Sequence, residues 1–489
     1  MLKKFSILFL GLVLAGCSTN SSSRSGFDAF NSDISEVNFG STTNFRVGVL
    51  LPLSGEAAKH GQGLKNATMM ALEDVKNPNM ILQFYDTKST PSGARIAAEN
   101  ALNQRAQLII GPLMSGSTRA ITEQTTAKNV PVIAFGTSEE VLQPGIYTLG
   151  LLVSEQVNRI IGYAAQNGRS KFALLVPDNN TGIAVAKAAV IAAQKNDVEI
   201  KRIAFYPPNT TDFSEILKAM TDYPQRKARL DKIRSNLSYK AQNGDANAAK
   251  VLRRLQTLDT MGDVDFDAVL IPEYGPRLKS AASMFGYYDV FSPKVKFLGM
   301  AVWENTNLNK ETTLNGSWYP SLSRTHSIYF SNKYADLFGE RPSSLYSLAY
   351  DAIALSAALA KNADGDLNEQ ITNPDGYIGI NGAFRLFENG TNEHSLDIVE
   401  VRQSGDEVIE KSPHKFLSSS EHKGAETIVV DENYRAPRIF GKDKYLAQTL
   451  IYGYQLNPEN QPFGYIPAAE EHQLVKDSLK QYNVVIPDM

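Results

Sequence analysis

A single cysteine, Cys17, stands in 489 residues, alongside only two tryptophans and six histidines. One thiol cannot close an internal disulfide, so the fold has to be held by burial. Neither sign of charge is in excess: 49 Lys and Arg face 52 Asp and Glu, a net of −3 that lacks the basic footprint of a nucleic-acid binder. The histidines, His60, His326, His394, His414, His422 and His472, show no HExxH or other paired metal spacing, and neither Gly-x-Ser-x-Gly nor a phosphate loop occurs. "HGQGLKN" has two glycines without the rest of a dinucleotide fingerprint, and "SPHK" at 412–415 fits Ser-x-x-Lys without the Ser-Asp-Asn and Lys-Thr-Gly companions such an enzyme needs. No catalytic centre, metal or cofactor is expected. Long apolar runs are also missing, apart from Phe5–Ala15, which is too short to span a bilayer.

That run has a specific setting. It follows Lys3 and Lys4 and ends in Leu14-Ala15-Gly16-Cys17, the charge, length and small residues of a signal peptide covering 1–16. The ending resembles the lipobox of bacterial lipoproteins, which implies cleavage before Cys17 and a lipid on its thiol. Ser18 follows where an aspartate would mark inner-membrane retention, which points to the outer membrane, on the periplasmic side. Residues 17–44, rich in Ser, Asn, Thr and Gly, have little to bury and read as a flexible tether.

What the remaining chain has is alternation. "RVGVLLP", "MILQFYD", "AQLIIGP", "VPVIAFG", "FALLVPD", "EIKRIAFY", "FDAVLIPE" and "KVKFLGM" read as buried strands, with helical periods between them; from Gly61 to Val75, for example, Leu64, Ala67, Ala71, Leu72 and Val75 share one face. Strands alternating with helices predict α/β architecture with doubly wound parallel sheets, and ligands bind such sheets at the carboxyl ends of the strands. At 43% hydrophobic residues the body is too long for one core, so two lobes are expected. In "GPLMSGSTRAITEQ" a strand runs into the start of a helix, whose amides together with the Ser115 and Ser117 hydroxyls can take a carboxylate or can simply cap the helix.

"VGVLLPLSGEAAKHGQGLKNATMMALEDV", "IIGPLMSGST", "VPVIAFGTS" and "SLAYDAIALSAALAKN" resemble, in order and spacing, the type I periplasmic binding proteins of the leucine/isoleucine/valine-binding kind, over about residues 45–405. The resemblance implies two lobes joined by three crossovers near Gly150–Val153, Trp318–Ser321 and Phe384–Phe387. The first lobe would be 45–150 with 322–385, and the second 151–320 with 386–410. It also implies a small-molecule cleft in which Ser115 binds a carboxylate and Gly136, Thr137 and Ser138 form a second loop. His60 takes the place of an aromatic residue in the first loop, Thr181 occupies a second aromatic position, and Tyr274 is grouped with the cleft residues. Amino-acid binders of the family carry a glutamate after the Phe-x-Gly of "KVKFLGMAV", where this chain has Ala301. An ammonium buried there would cost several kcal/mol, which disfavours ordinary amino acids as ligands. Glu273 and Glu304, nearby in sequence, could substitute for that glutamate but read more readily as solvated loop residues.

Two segments exceed an ordinary solute binder. Residues 224–262 hold nine Lys or Arg against three Asp, with Leu230, Ile233 and Leu237 on one stripe, Val251, Leu252, Leu255 and Leu258 on another, and "NGD" between them. This predicts a helical hairpin inserted in the second lobe, either a solvated face or a docking element using Arg226, Lys227, Arg229, Arg253 and Arg254. Residues 411–489 form a tyrosine-rich extension. The lipobox, hairpin and fold together look like the lipoprotein activators of penicillin-binding proteins, without their helical-repeat domain. That likeness implies an activator partnered with a peptidoglycan synthase and attached to the membrane through its lipid. The alternative is the lipid-anchored receptor of an importer for amino acids or related solutes.

Overall fold

The computed structural model describes residues 44–323, 327–412, 416, 428 and 434–453. Cys17, the tether and most of "SPHK" lie outside them. Sixteen strands fall into three sheets among the described residues. In the first sheet β1 (Phe45–Leu51), β2 (Met80–Asp86), β3 (Leu108–Ile110), β4 (Val132–Ala134) and β5 (Ile146–Thr148) run parallel in the order β2-β1-β3-β4-β5. The second lobe supplies β6 (Lys171–Pro177), β7 (Glu199–Tyr206), β8 (Ala268–Leu270), β9 (Lys296–Leu298) and β10 (Trp318–Leu322). A small antiparallel sheet holds β11 (Tyr377–Gly379), β12 (Gly382–Leu386) and β13 (Asn392–His394). β14 (Leu396–Glu400), β15 (Glu407–Glu410) and β16 (Arg438–Phe440) complete the second large sheet, ordered β15-β14-β10-β9-β8-β6-β7-β16. All eight strands read from the sequence are present.

The helices of the first lobe are α1 (Ala58–Val75), α2 (Pro91–Asn103) and α3 (Ser115–Ala127). Thr90 caps α2 by accepting from the Gly93 amide, Pro91 sits at its first turn, and its small face of Ala94, Ala97, Ala98 and Ala101 is buried. The second lobe carries α4 (Val153–Gln166), α5 (Asn180–Lys195), α6 (Ser214–Met220), α7 (Tyr223–Gln242), α8 (Ala246–Leu255) and α9 (Gly275–Tyr287). The chain then returns to the first lobe with α10 (Ser327–Phe338), α11 (Ser344–Leu359) and α12 (Leu367–Ile371). Buried at almost every position, α11 packs in the same core as β1, α1 and β3. One core cluster fills each face of the second sheet. Among the described residues no helix is long and apolar enough to cross a membrane.

One expectation changes. The third crossover does not lie at 384–387. Phe384 and Leu386 of β12 are buried in the first lobe's core, the chain turns at Asn389-Gly390 into β13, and it enters the second sheet only at Leu396. The extension, whose place the sequence leaves open between wrapping the lobes and contacting a partner, joins the second lobe in its described part: β16 adds a parallel edge strand to β7, and α13 (Lys444–Tyr452) buries Ala447, Ile451 and Tyr452 in the core containing α5.

The hairpin is α7 and α8. Asn243 and Gly244, the latter at φ +92°, turn the chain, and Asp245 caps α8 by accepting from the Ala248 amide at 3.0 Å. Leu230 is fully buried, while Ile233, Leu237, Leu252 and Leu255 are half-buried between the helices.

Candidate ligand cleft

The site grows from two loops at the carboxyl edge of the first sheet. After β3 the chain passes through extended Met114 and starts α3 at Ser115, with no side chain capping the helix. The Ser115 hydroxyl is therefore not used as a cap, and among the described residues nothing hydrogen-bonds it. The Ser115 and Gly116 amides likewise have no acceptor within the helix, whereas the Ser117 amide donates to the Met114 carbonyl at 2.9 Å. Ser117, in contrast, is 2% exposed and packs inside the lobe, which removes it from the candidate contacts. After β4 the second loop reaches the first: a Cβ on Gly136 would stand 2.7 Å from Ser115 Oγ and 3.3 Å from its amide, so only glycine lets the loops meet. Thr137 is exposed and Ser138 half-buried beside it.

A polar clasp ties this corner to the crossovers. The Thr148 hydroxyl donates to the Gly136 carbonyl at 2.6 Å and accepts from the Gly150 amide at 2.9 Å. From β13, Asn392 Nδ2 donates to the carbonyls of Thr148 and Gly150, both at 2.8 Å. Two residues on, His394 Nδ1 faces both carboxylate oxygens of Glu155, in the first turn of α4, at 3.2 Å, and the His394 amide also donates to that carboxylate. Burial lowers the His394 pKa, but Glu155 and, farther off, Asp351 and Glu393 outweigh it and hold the ring above its usual value. Asp351, buried on α11 and accepting from the Ile380 amide and Asn381 Nδ2, is pushed by burial up to about 6. Apart from Gly136, none of these residues was singled out for the site from the sequence.

The strand ends of the second lobe carry different chemistry. Tyr274 is 62% exposed just ahead of α9, and Val302, after β9, is 45% exposed. Glu273 is not the solvated residue expected. It is 4% exposed and accepts from the Tyr206 hydroxyl at 2.8 Å, the Tyr274 amide at 3.0 Å and the Arg277 guanidinium. Burial and Glu273 in turn push the Tyr206 phenol up, so it stays a donor. The Trp303 indole fills the space over Gly299 and donates to the Glu273 carbonyl at 2.9 Å. The Ala301 amide donates to Gln156 Oε1 at 2.9 Å, and Gln156 Nε2 donates to the carbonyls of Leu151 and Leu152 at the first crossover. The Glu273 carboxylate is thus already satisfied by Tyr206, Tyr274 and Arg277. His60 is exposed on α1 with its ring edge-on to Tyr346, 6.3 Å between centroids, and Thr181 is exposed at the start of α5. The structure joins Ser115 to Gly136 and leaves His60 and Tyr274 exposed on different lobes. Among the described residues no His, Cys, Asp and Glu cluster could hold a metal ion.

The proposed docking residues separate. Arg226 is 5% exposed, with Nε donating to the Gly262 carbonyl, Nη1 to the Tyr288 carbonyl and Nη2 to Thr260 Oγ1, each at 2.9 Å. It roots the hairpin and cannot meet a partner. Lys227 pairs with Asp259 and lies over the Tyr223 ring. Arg229, Arg253 and Arg254 are exposed.

Two doubly wound lobes, three crossovers and loops meeting at the strand ends define the type I periplasmic binding protein fold. Residues 44–224 match the family model described as periplasmic binding protein. A curated relative, an uncharacterized protein of Rickettsia prowazekii (strain Madrid E), is 24% identical over 163 residues, 33% of this chain; the match spans only 43% of that relative. A structure from Rhodospirillum rubrum assigned to branched-chain amino acid ABC transport superposes with a TM-score of 0.59 at 14% identity, covering 75% of this chain and 100% of that one. An ABC transporter substrate-binding protein from Sphaerobacter thermophilus gives 0.57 at 17% identity, with 76% and 98% covered. A solute-binding protein of an ABC transporter from Rhodopseudomonas palustris BisB5, in complex with 3,4-dihydroxybenzoic acid, gives 0.50 at 17%, with 76% and 99% covered.

Proposed function

We propose that the chain is a non-catalytic solute-binding protein of the cell envelope whose lobes close on a small carboxylate that carries no ammonium group. One observation carries this reading. The Ser115–Gly136 corner offers an unclaimed hydroxyl and helix-start amides for an anion, while the facing lobe offers Tyr274 and Val302, with Glu273 committed to Arg277 and Tyr206. The Rhodopseudomonas palustris neighbour supports it, since its ligand is an aromatic acid with no amine. Delivery to an ABC importer is the role in keeping with the neighbours. The activator reading keeps the exposed part of the hairpin on its side and loses Arg226 from its contact set.

Thermal unfolding with leucine, benzoate and 3,4-dihydroxybenzoate tests the proposal. Aromatic acids should raise the melting temperature and leucine should not. Ser115→Ala should weaken the effective ligand about tenfold or more, the worth of a hydrogen bond to a charged group. Stabilisation by leucine, or by none of the acids, would overturn the ligand class.

A further inference from the structure

The tip of the hairpin is the feature a solute binder leaves unused. From Tyr223 to Leu255 nine basic side chains accompany two acidic ones, so the rest of the chain is left with 40 basic against 50 acidic residues. With Arg226 buried and Lys227 paired to Asp259, the remaining basic side chains would still turn the hairpin toward a negative surface. Three large apolar side chains stand among these charges: Tyr239 is 70% exposed, Val251 42% and Leu258 44%. Lys240, Lys250, Arg253 and Arg254 are exposed around them. We infer that this surface docks on a bilayer containing anionic phospholipid, with the basic side chains at the phosphates and Tyr239 and Val251 at the headgroup boundary.

The character of the surface favours lipid over a protein partner. Protein interfaces gather apolar area into a core depleted of Lys, whereas here single apolar side chains are spaced between long cations that can bury their stems while their heads stay at phosphate level. The concavity beside Tyr239 and Leu252 is a shallow groove lined largely by Arg234, Ser235, Ser238, Gln242 and Gln256, with no apolar pocket for an anchoring side chain. Each cation near an anionic surface contributes about 1 kcal/mol, so four of them hold a body that a lipidated tether would already keep close. Docking by the hairpin would fix which face of the second lobe lies on the membrane.

The test uses the chain from Ser18 to Met489, which lacks Cys17 and keeps every described residue, in co-sedimentation with vesicles. The probes are phosphatidylcholine alone and phosphatidylcholine with a third phosphatidylglycerol. The inference expects binding to the second and not the first, with loss at high salt. The Lys250→Glu, Arg253→Glu, Arg254→Glu variant should bind the anionic vesicles at least tenfold more weakly with an unchanged melting temperature, and Tyr239→Ser with Val251→Ser should weaken binding at low salt. Absence of binding to anionic vesicles, or equal binding by the charge-reversed chain, overturns the inference and gives the surface to a protein partner or to solvent. Ligand-induced stabilisation through Ser115 is read separately, so either result can stand without the other.

Discussion

Two arginines of the hairpin that look alike in sequence differ in what their removal does. Arg226→Ala would leave the carbonyls of Gly262 and Tyr288 and the Thr260 hydroxyl without a donor in a buried place, a loss of roughly 2–4 kcal/mol, read as a lowered urea midpoint. Arg253→Ala on the exposed face should change stability by about 0.5 kcal/mol or less. The same contrast explains what could be seen of the site. Ser115 stands out locally, as a serine at a strand-to-helix junction, whereas Gly136 enters only through the resemblance; the structure brings the two together. Arg226 is not legible, because burial of a charge depends on Gly262, Thr260 and Tyr288, dozens of residues away. Glu273 is hidden for the same reason: its partner Tyr206 comes from another strand, 67 residues earlier.

Among the elements, the last helix and strand are the least expected and the easiest to test. Ending the chain at residue 433 would remove β16 from β7 and uncover the apolar surface under Ile451 and Tyr452. At about 1.5–3 kcal/mol for a large apolar side chain, the loss should be several kcal/mol, with a lower melting temperature and greater aggregation at an opened strand edge. Full stability in such a truncation would mean that this packing contributes little. The strands and helices of both lobes are legible because periodicity is a local property. The third crossover is not, because Phe384 and Leu386 have the alternation of any buried strand and nothing local says which lobe they enter. The polar "TNEHS" hides β13 by the opposite route: its Asn and His side chains are satisfied at the crossovers, far away in sequence.

At the scale of the molecule, the buried groups at the crossovers give stability a pH dependence. Asp351 and His394 both hold a proton more firmly in the folded chain than in the unfolded one, so what they contribute is complete at low pH and lost as pH rises. For Asp351 the loss runs from the usual carboxylate value of about 4 up to about 6; for His394 it begins near its usual value of about 6.5 and continues above it. The urea midpoint should fall across this range, and Asp351→Asn should flatten its lower part. An upward trend in the wild-type chain would contradict the assignment. Another consequence follows from β16, which pairs Arg438 with Arg202, more than two hundred residues earlier. A chain translocated N-terminus first would have β7 across the membrane long before its outer neighbour arrived. During secretion the edge of β7 would stay open to other chains, so safe passage depends on how quickly the last stretch follows, or on a chaperone waiting on the far side.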